Sequence, residues 1–295
     1  MGSSFLSKRI SSGLIAGLFG FLVVFRGGWW FTSAIGVIVH LALLEFFRMA
    51  EFKGIRPATK TTLVACQFLL ITTQLECSGV LSGDITAAVL PLSGAAICCW
   101  LLLQPVTGSI ADIAASIFGL FYLGFLPSHW IKLRNFSDLD LTVPLQSITD
   151  DPSRFIDTGL SVTLATCFMI VGSDIGAYFF GKIYGKNPLS PISPSKTVEG
   201  AIGGFLSAII IGILSGYFFK WKVGLLIGGV LGVLVSLCAL VGDLTESMMK
   251  RDAGLKDSGN VLPGHGGILD RIDSFLFAPA IVYYSVLLLT PFVIN

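Results

Sequence analysis

The sequence predicts an all-α, polytopic integral-membrane helical bundle of about nine transmembrane helices. Three observations predict it. Hydrophobic residues make up 54% of the 295-residue chain. Charged residues make up only 13%, where soluble domains carry about a quarter. Mean hydropathy is +0.84, and apolar runs approaching the ~20 residues that a bilayer core requires recur along the whole length. Net charge is +1 with no basic patch, so a nucleic-acid partner is not expected and the lipid bilayer is. Cys66, Cys77, Cys98, Cys99, Cys167 and Cys238 lie mostly in or beside apolar runs and form no CxxC pair. They read as packing residues, not as zinc ligands or a disulfide framework.

In chain order, spans are expected near residues 10–25, 29–47, 61–77, 84–103, 109–127, 158–180, 199–219, 223–242 and 275–293. The first has a basic start and no small-residue cleavage site, so it reads as a retained helix rather than a removed signal. The third and fifth stand out least from their surroundings. Glycine is frequent throughout, as in helices whose backbones approach closely in lipid. With the N-terminus inside, the inner segments hold thirteen of the nineteen Lys and Arg residues, which favours that orientation. It puts the polar segments 181–198 and 243–273 on one side, the cytoplasm. The polar stretch ending at Asp157 falls outside. It reads as the boundary between a membrane anchor, 1–157, and a catalytic region, 158–295. No internal repeat is visible, which weighs against inverted-repeat transporters.

Three constellations carry chemistry. In "GDLTESMMKRD", Asp243, Glu246, Ser247 and Lys250 share one helix face. An exposed, salt-bridged helix end is the plain alternative. In "LPGHGGILDRIDS", Pro263, Gly264, Gly266 and Gly267 force a tight turn, with Asp270 and Asp273 at i, i+3 beyond it. Capping accounts for one acid. Two acids, an Arg and a glycine-rich turn together suit a hard cation with room for substrate phosphates. Asp243 and Asp270 come from different helices, as a shared metal needs. His265 reads equally as a general acid, a phosphate donor or a turn residue. In "GSDIGAYFFGKIYGKNPLSPISPSKTVEG", Asp174 sits in an apolar run, so it should face the bundle interior and find a partner. Ser195, Lys196 and Thr197 open a new helix, a natural phosphate cradle that lacks the Walker A pattern. Acids for a metal, bases for phosphates and glycines for close approach, all at one membrane surface, fit phosphoryl or nucleotidyl transfer involving a lipid.

The run Ser247, Lys250, Arg251, Lys256, Asp257, His265, Gly266, Gly267, Asp270, Arg271 and Asp273 resembles the signature of the phosphatidate cytidylyltransferase (CDP-diacylglycerol synthase) family, with no departure. The upstream "SDIGAY", "GK" and "SPSKTVEG" resemble the family as well. The resemblance covers roughly the C-terminal 120 residues. It implies a helical, dimeric membrane enzyme that converts CTP and phosphatidic acid to CDP-diacylglycerol and pyrophosphate. It also implies Mg²⁺ at Asp243 and Asp270, with a second, monovalent cation such as K⁺.

On that reading Asp174, Glu246 and Asp273 hold metal or orient bases. Lys196, Lys250, Arg251, Lys256 and Arg271 stabilise CTP and leaving pyrophosphate, with His265 beside them. Ser195 and Thr197 hydrogen-bond phosphate oxygens, and Gly266 and Gly267 allow close approach. The host membrane is expected to be a bacterial inner membrane, with a photosynthetic membrane as the alternative. Competing readings are a related lipid nucleotidyltransferase, a polyprenol kinase, or an ion-coupled transporter using Asp174 and Asp243.

Overall fold

The computed structural model describes residues 17–136, 157–221, 223–259 and 266–294. The start of the first expected span, most of the polar stretch before Asp157, Pro263, Gly264 and His265 lie outside the described residues. The elements are α1 (Gly17–Arg26), α2 (Gly28–Phe52), α3 (Thr59–Cys77), α4 (Ile85–Leu102), α5 (Ile110–Leu120), α6 (Leu126–Arg134) and α7 (Thr158–Tyr184). A hairpin, β1 (Pro188–Ser190) and β2 (Ser193–Thr197), leads into α8 (Val198–Phe218). Then come α9 (Gly224–Asp252), a short α10 (Leu269–Ile272), a 3₁₀ turn at Asp273–Phe275 and α11 (Ala278–Ile294).

Each of the nine expected spans overlaps helix in the structure, with 109–127 taking in α5, the turn after it and the start of α6. Among the described residues, seven stretches are long and apolar enough to cross a membrane. The shorter α1 and the more polar α3 fall outside that set. Much of the polarity of α3 is satisfied inside the bundle: Thr32 donates to Gln74 Oε1 at 2.8 Å, and Thr73 donates to the Leu69 carbonyl at 2.7 Å, while the buried Thr62 hydroxyl finds no partner among the described residues. That is how a helix this polar is held among apolar neighbours.

The helix starts follow local chemistry. Ser109 and Asp112 form a reciprocal capping box on α5, and Asp157 caps α7 through the Leu160 N–H at 2.5 Å. Helices α5 and α6 form one continuous span, Ile110–Arg134. The turn between them, Phe121–Phe125, is a π-helix. Pro127 has no N–H to give an i−4 carbonyl, and the wider turn just before it absorbs the mismatch.

The buried core runs from Val39, Leu43 and Phe47 of α2 through Cys66 and Leu70 of α3, Leu123 and Ile131 around α6, Met169 and Ile170 of α7, to Leu231 and Val235 of α9. Helices α8 and α9 approach backbone to backbone, Gly212 against Gly228 and Gly216 against Gly224. This small-residue packing drives helix association in lipid. It sets the α7–α8–α9 layer that carries the polar segments.

Candidate active site

The hairpin, α7, α9 and the segment before α11 surround a cleft of about 580 Å³. Ser195, Lys196 and Thr197 line it from the hairpin, and Asp174, Tyr178 and Lys182 from α7. Asp243 and Lys250 contribute from α9, and Asp270, Asp273 and Ser274 from the segment that leads to α11. The two polar segments, distant in sequence, therefore meet.

Residues 188–197 were expected as a polar loop ending in a helix start; they form a hairpin. Thr197 has extended backbone angles and caps α8, its Oγ1 accepting from the Gly200 N–H at 3.1 Å. The Glu199 carboxylate folds back, accepting from the N–H groups of Lys186 (3.1 Å) and Asn187 (3.3 Å) and from Asn187 Nδ2 (2.7 Å). This clasp ties the hairpin to α8 and leaves Lys196 free to reach across. Its ammonium pairs with Asp243 Oδ2.

Asp243 sits one residue beyond Gly242, whose missing side chain matters. A Cβ there would collide with the Asp273 carbonyl oxygen. Glycine lets the Asp273 turn lie directly on α9. As a result Asp243, Glu246 and Asp273 each place a carboxylate oxygen within 4.8 Å of the others. Glu246 is fully buried and ion-paired, 2.5 Å from Lys250 Nζ one helical turn on. The same ammonium reaches Asp270 Oδ1 at 2.6 Å. Asp270 Oδ2 accepts from the Gly267 N–H (2.8 Å), the Ser258 N–H (3.0 Å) and the Ser258 hydroxyl (3.0 Å). Asp174, within an apolar helix, does find a partner: its Oδ1 accepts from Ser274 Oγ at 3.4 Å.

The donor set suits a hard divalent cation. It offers carboxylate oxygen only, the ligand class that Mg²⁺ takes. With Mg–O bonds of about 2.0–2.1 Å, ligands on opposite sides of the ion stand about 4.2 Å apart, and the three acid oxygens lie within 4.8 Å of one another. Asp174, Asp243, Asp270 and Asp273 line the cleft with Glu246 behind them, against Lys182, Lys196 and Lys250. Ionised, these groups carry a two-charge excess of carboxylate, which one divalent cation would neutralise. The structure thus groups Asp273 and Glu246 with Asp243, while Asp270 meets Glu246 and shares Lys250 with it.

Arg251, Lys256 and Arg271 are exposed and are not among the described lining of the cleft. Arg251 Nη1 makes a 3.4 Å bond to the Leu255 carbonyl. Gly266 adopts φ +80°, a turn conformation that favours glycine. Gly267 is buried, and a Cβ on it would strike Ser258 Oγ and Glu45 Oε2. The close approach that its sequence context predicted is therefore to the protein's own side chains.

Glu45 was not anticipated. It lies in α2, is 5% exposed, and accepts from the N–H groups of Ile268 (3.0 Å) and Leu269 (2.8 Å) and from Ser258 Oγ (3.1 Å). The signal was present: an acid inside the expected span 29–47 is as costly in lipid as Asp174, and demands a partner for the same reason.

Comparison with known proteins extends the similarity well beyond the C-terminal signature. The model of the cytidylyltransferase family matches residues 7–289. A Synechocystis protein named phosphatidate cytidylyltransferase is 44% identical over 297 residues, covering 98% of this chain and 99% of that protein. A Bacillus subtilis protein of the same name is 31% identical, covering 95% and 97%. The Arabidopsis thaliana protein phosphatidate cytidylyltransferase 5, chloroplastic, is 37% identical, covering 94% of this chain and 70% of its own.

Proposed function

The chain belongs to the cytidylyltransferase family, and from that premise we propose that it transfers the cytidylyl group of CTP to phosphatidic acid, giving CDP-diacylglycerol and pyrophosphate. One observation carries the site assignment: Asp243 and Asp273 line one cleft, with Glu246 clustered behind them and Lys196 paired to Asp243.

A phosphate oxygen of phosphatidic acid forms a bond to the α-phosphorus of CTP, and the bond to the bridging α–β oxygen breaks, releasing pyrophosphate. The attacking oxygen is already anionic at neutral pH, so no strong base is needed. The obstacle is repulsion between two polyanions. A divalent cation, Mg²⁺ in this reading, would neutralise that charge when bound. Asp243, Glu246 and Asp273 would hold it. Asp174 and Asp270, the remaining acids of the cleft, would serve the monovalent cation that the resemblance implies or complete the divalent site.

Lys196 exchanges Asp243 for a CTP phosphate, and Lys182 and Lys250 add positive charge around the leaving pyrophosphate. Thr197 accepts from the Gly200 N–H with its oxygen, and its hydroxyl proton remains to donate; Ser195 donates likewise. Arg251, Lys256 and Arg271 contribute from outside the described lining, drawing CTP toward the cleft, and His265 is assigned to phosphate by the resemblance alone. Region 158–295 carries the catalytic groups and 1–157 anchors and braces them. The protein works as a homodimer in a bacterial inner or photosynthetic membrane, with its N-terminus and site cytoplasmic, as the Lys and Arg distribution favours.

The test uses the purified chain in detergent, assayed for CDP-diacylglycerol formation and for Mn²⁺ binding by electron paramagnetic resonance. Asp243→Asn and Asp273→Asn are expected to lower kcat about 100-fold or more and to weaken Mn²⁺ binding. Full activity of Asp243→Asn with unchanged Mg²⁺ dependence contradicts the assignment.

A further inference from the structure

Glu45 has no place in the chemistry above, yet among the described residues it is the buried acid outside the cleft with the most hydrogen-bond donors. Gly259 and Gly267 press on it from two sides. A Cβ on Gly259 would come within 2.6 Å of Glu45 Oε1, and one on Gly267 would collide with Oε2. Its three donors all come from the segment that carries Asp270. Ser258, 3% exposed, is the hinge of this arrangement. Its hydroxyl lies 3.1 Å from Glu45 Oε2 and 3.0 Å from Asp270 Oδ2, so one proton serves two carboxylates.

From there the contacts run without a gap. Asp270 holds Lys250, Lys250 holds Glu246, and Glu246 belongs to the acid cluster. A carboxylate is the side chain suited to this post. It accepts at both oxygens and donates at neither, while each neighbouring group donates. Buried acceptors that satisfy several donors at once fix geometry more firmly than isolated bonds.

We propose that Glu45 is a positioning residue for the reaction: through Ser258 and the 267–269 backbone it sets Asp270 and, through Asp270, the lysine that orders the acid cluster. This rests on the activity proposed above. The anchor region then does more than hold the catalytic half in the membrane, because it supplies the fixed point on which the catalytic loop is hung.

Glu45→Gln keeps the size but turns an NH₂ group toward groups that also donate. The experiment uses the full chain in detergent and compares wild type, Glu45→Gln, Ser258→Ala and the double variant. It measures hydrogen exchange of the peptide spanning Gly267–Leu269, kcat, KM for CTP, and the Mg²⁺ concentration for half-maximal rate. In Glu45→Gln, exchange at 267–269 is expected to quicken and kcat to fall about tenfold or more, the size of one lost buried hydrogen bond. The Mg²⁺ requirement should rise, with KM for CTP moving less than about threefold, because binding contacts made equally in ground and transition states are untouched. Ser258→Ala should lower kcat in the same direction, and the double variant should be no worse than Glu45→Gln, since both act on one path.

A purely structural role predicts a lower melting temperature with exchange at 267–269, the Mg²⁺ requirement and kcat per folded molecule unchanged; that result overturns the proposal. If Glu45→Gln does not fold, Ser258→Ala decides, and wild-type kcat with wild-type exchange there overturns it equally. If the wild type itself turns over no CTP, the activity reading falls, and the exchange comparison alone sustains or overturns the role of Glu45.

Discussion

Lys196 in β2 and Asp243 in α9 form an ion pair across the cleft, joining the two polar segments of an otherwise apolar chain. Both side chains keep partial exposure, 25% and 34%. The pair is therefore well placed to open for a competing phosphate and a competing cation.

Lys196→Ala follows from that geometry. A pair whose side chains are a quarter to a third exposed contributes little more to folding than a surface pair, about 1 kcal/mol, so the melting temperature should move only slightly. Removing one preorganised charge at the reacting phosphates should lower kcat/KM for CTP about 100-fold. Steady-state kinetics beside a thermal melt checks both, and a large loss of stability with normal kinetics contradicts the role.

Lys250→Met should act the other way round on stability. It strips the cation from Glu246, fully buried, and from Asp270, whose side chain is 11% exposed. Breaking a buried pair from one side costs about 3–5 kcal/mol. Adding Glu246→Gln should recover part of that loss by removing the stranded charge. Melts of the single and double variants in one detergent measure it; a double variant less stable than Lys250→Met contradicts it.

Gly242→Ala gives a test of opposite signs. By helix propensity alone, Ala for Gly inside α9 stabilises by about 1 kcal/mol. The Cβ, however, meets the Asp273 carbonyl and must push that turn away. Activity and Mn²⁺ binding should fall, with no gain in melting temperature. A stabilised, fully active variant would show that the turn need not lie on the helix.

The helices were legible because lipid imposes one rule, an apolar run of helical length, on every span. Lys196, Asp243, Asp270 and Asp273 were legible because charge in such a chain has few structural reasons to exist. Glu45 escaped because its partners Ser258, Ile268 and Leu269 lie at the far end of the chain, and spacing along α2 does not report them. The hairpin at 188–197 escaped for a different reason. Its strands are only three and five residues long, and it is held by the Glu199 clasp rather than by an alternating apolar pattern. That Asp270 shares Lys250 with Glu246 escaped as well, because helix-face arithmetic leaves open which acids the lysine pairs with.

The most direct test of the account follows the phosphorus. Purified protein in detergent micelles receives phosphatidic acid, Mg²⁺ and CTP labelled at either the α- or the γ-phosphate. The account predicts that the α-label enters lipid as CDP-diacylglycerol while the γ-label leaves as pyrophosphate. A γ-label in lipid would make the protein a kinase, and no transfer of either label would contradict nucleotidyl transfer altogether.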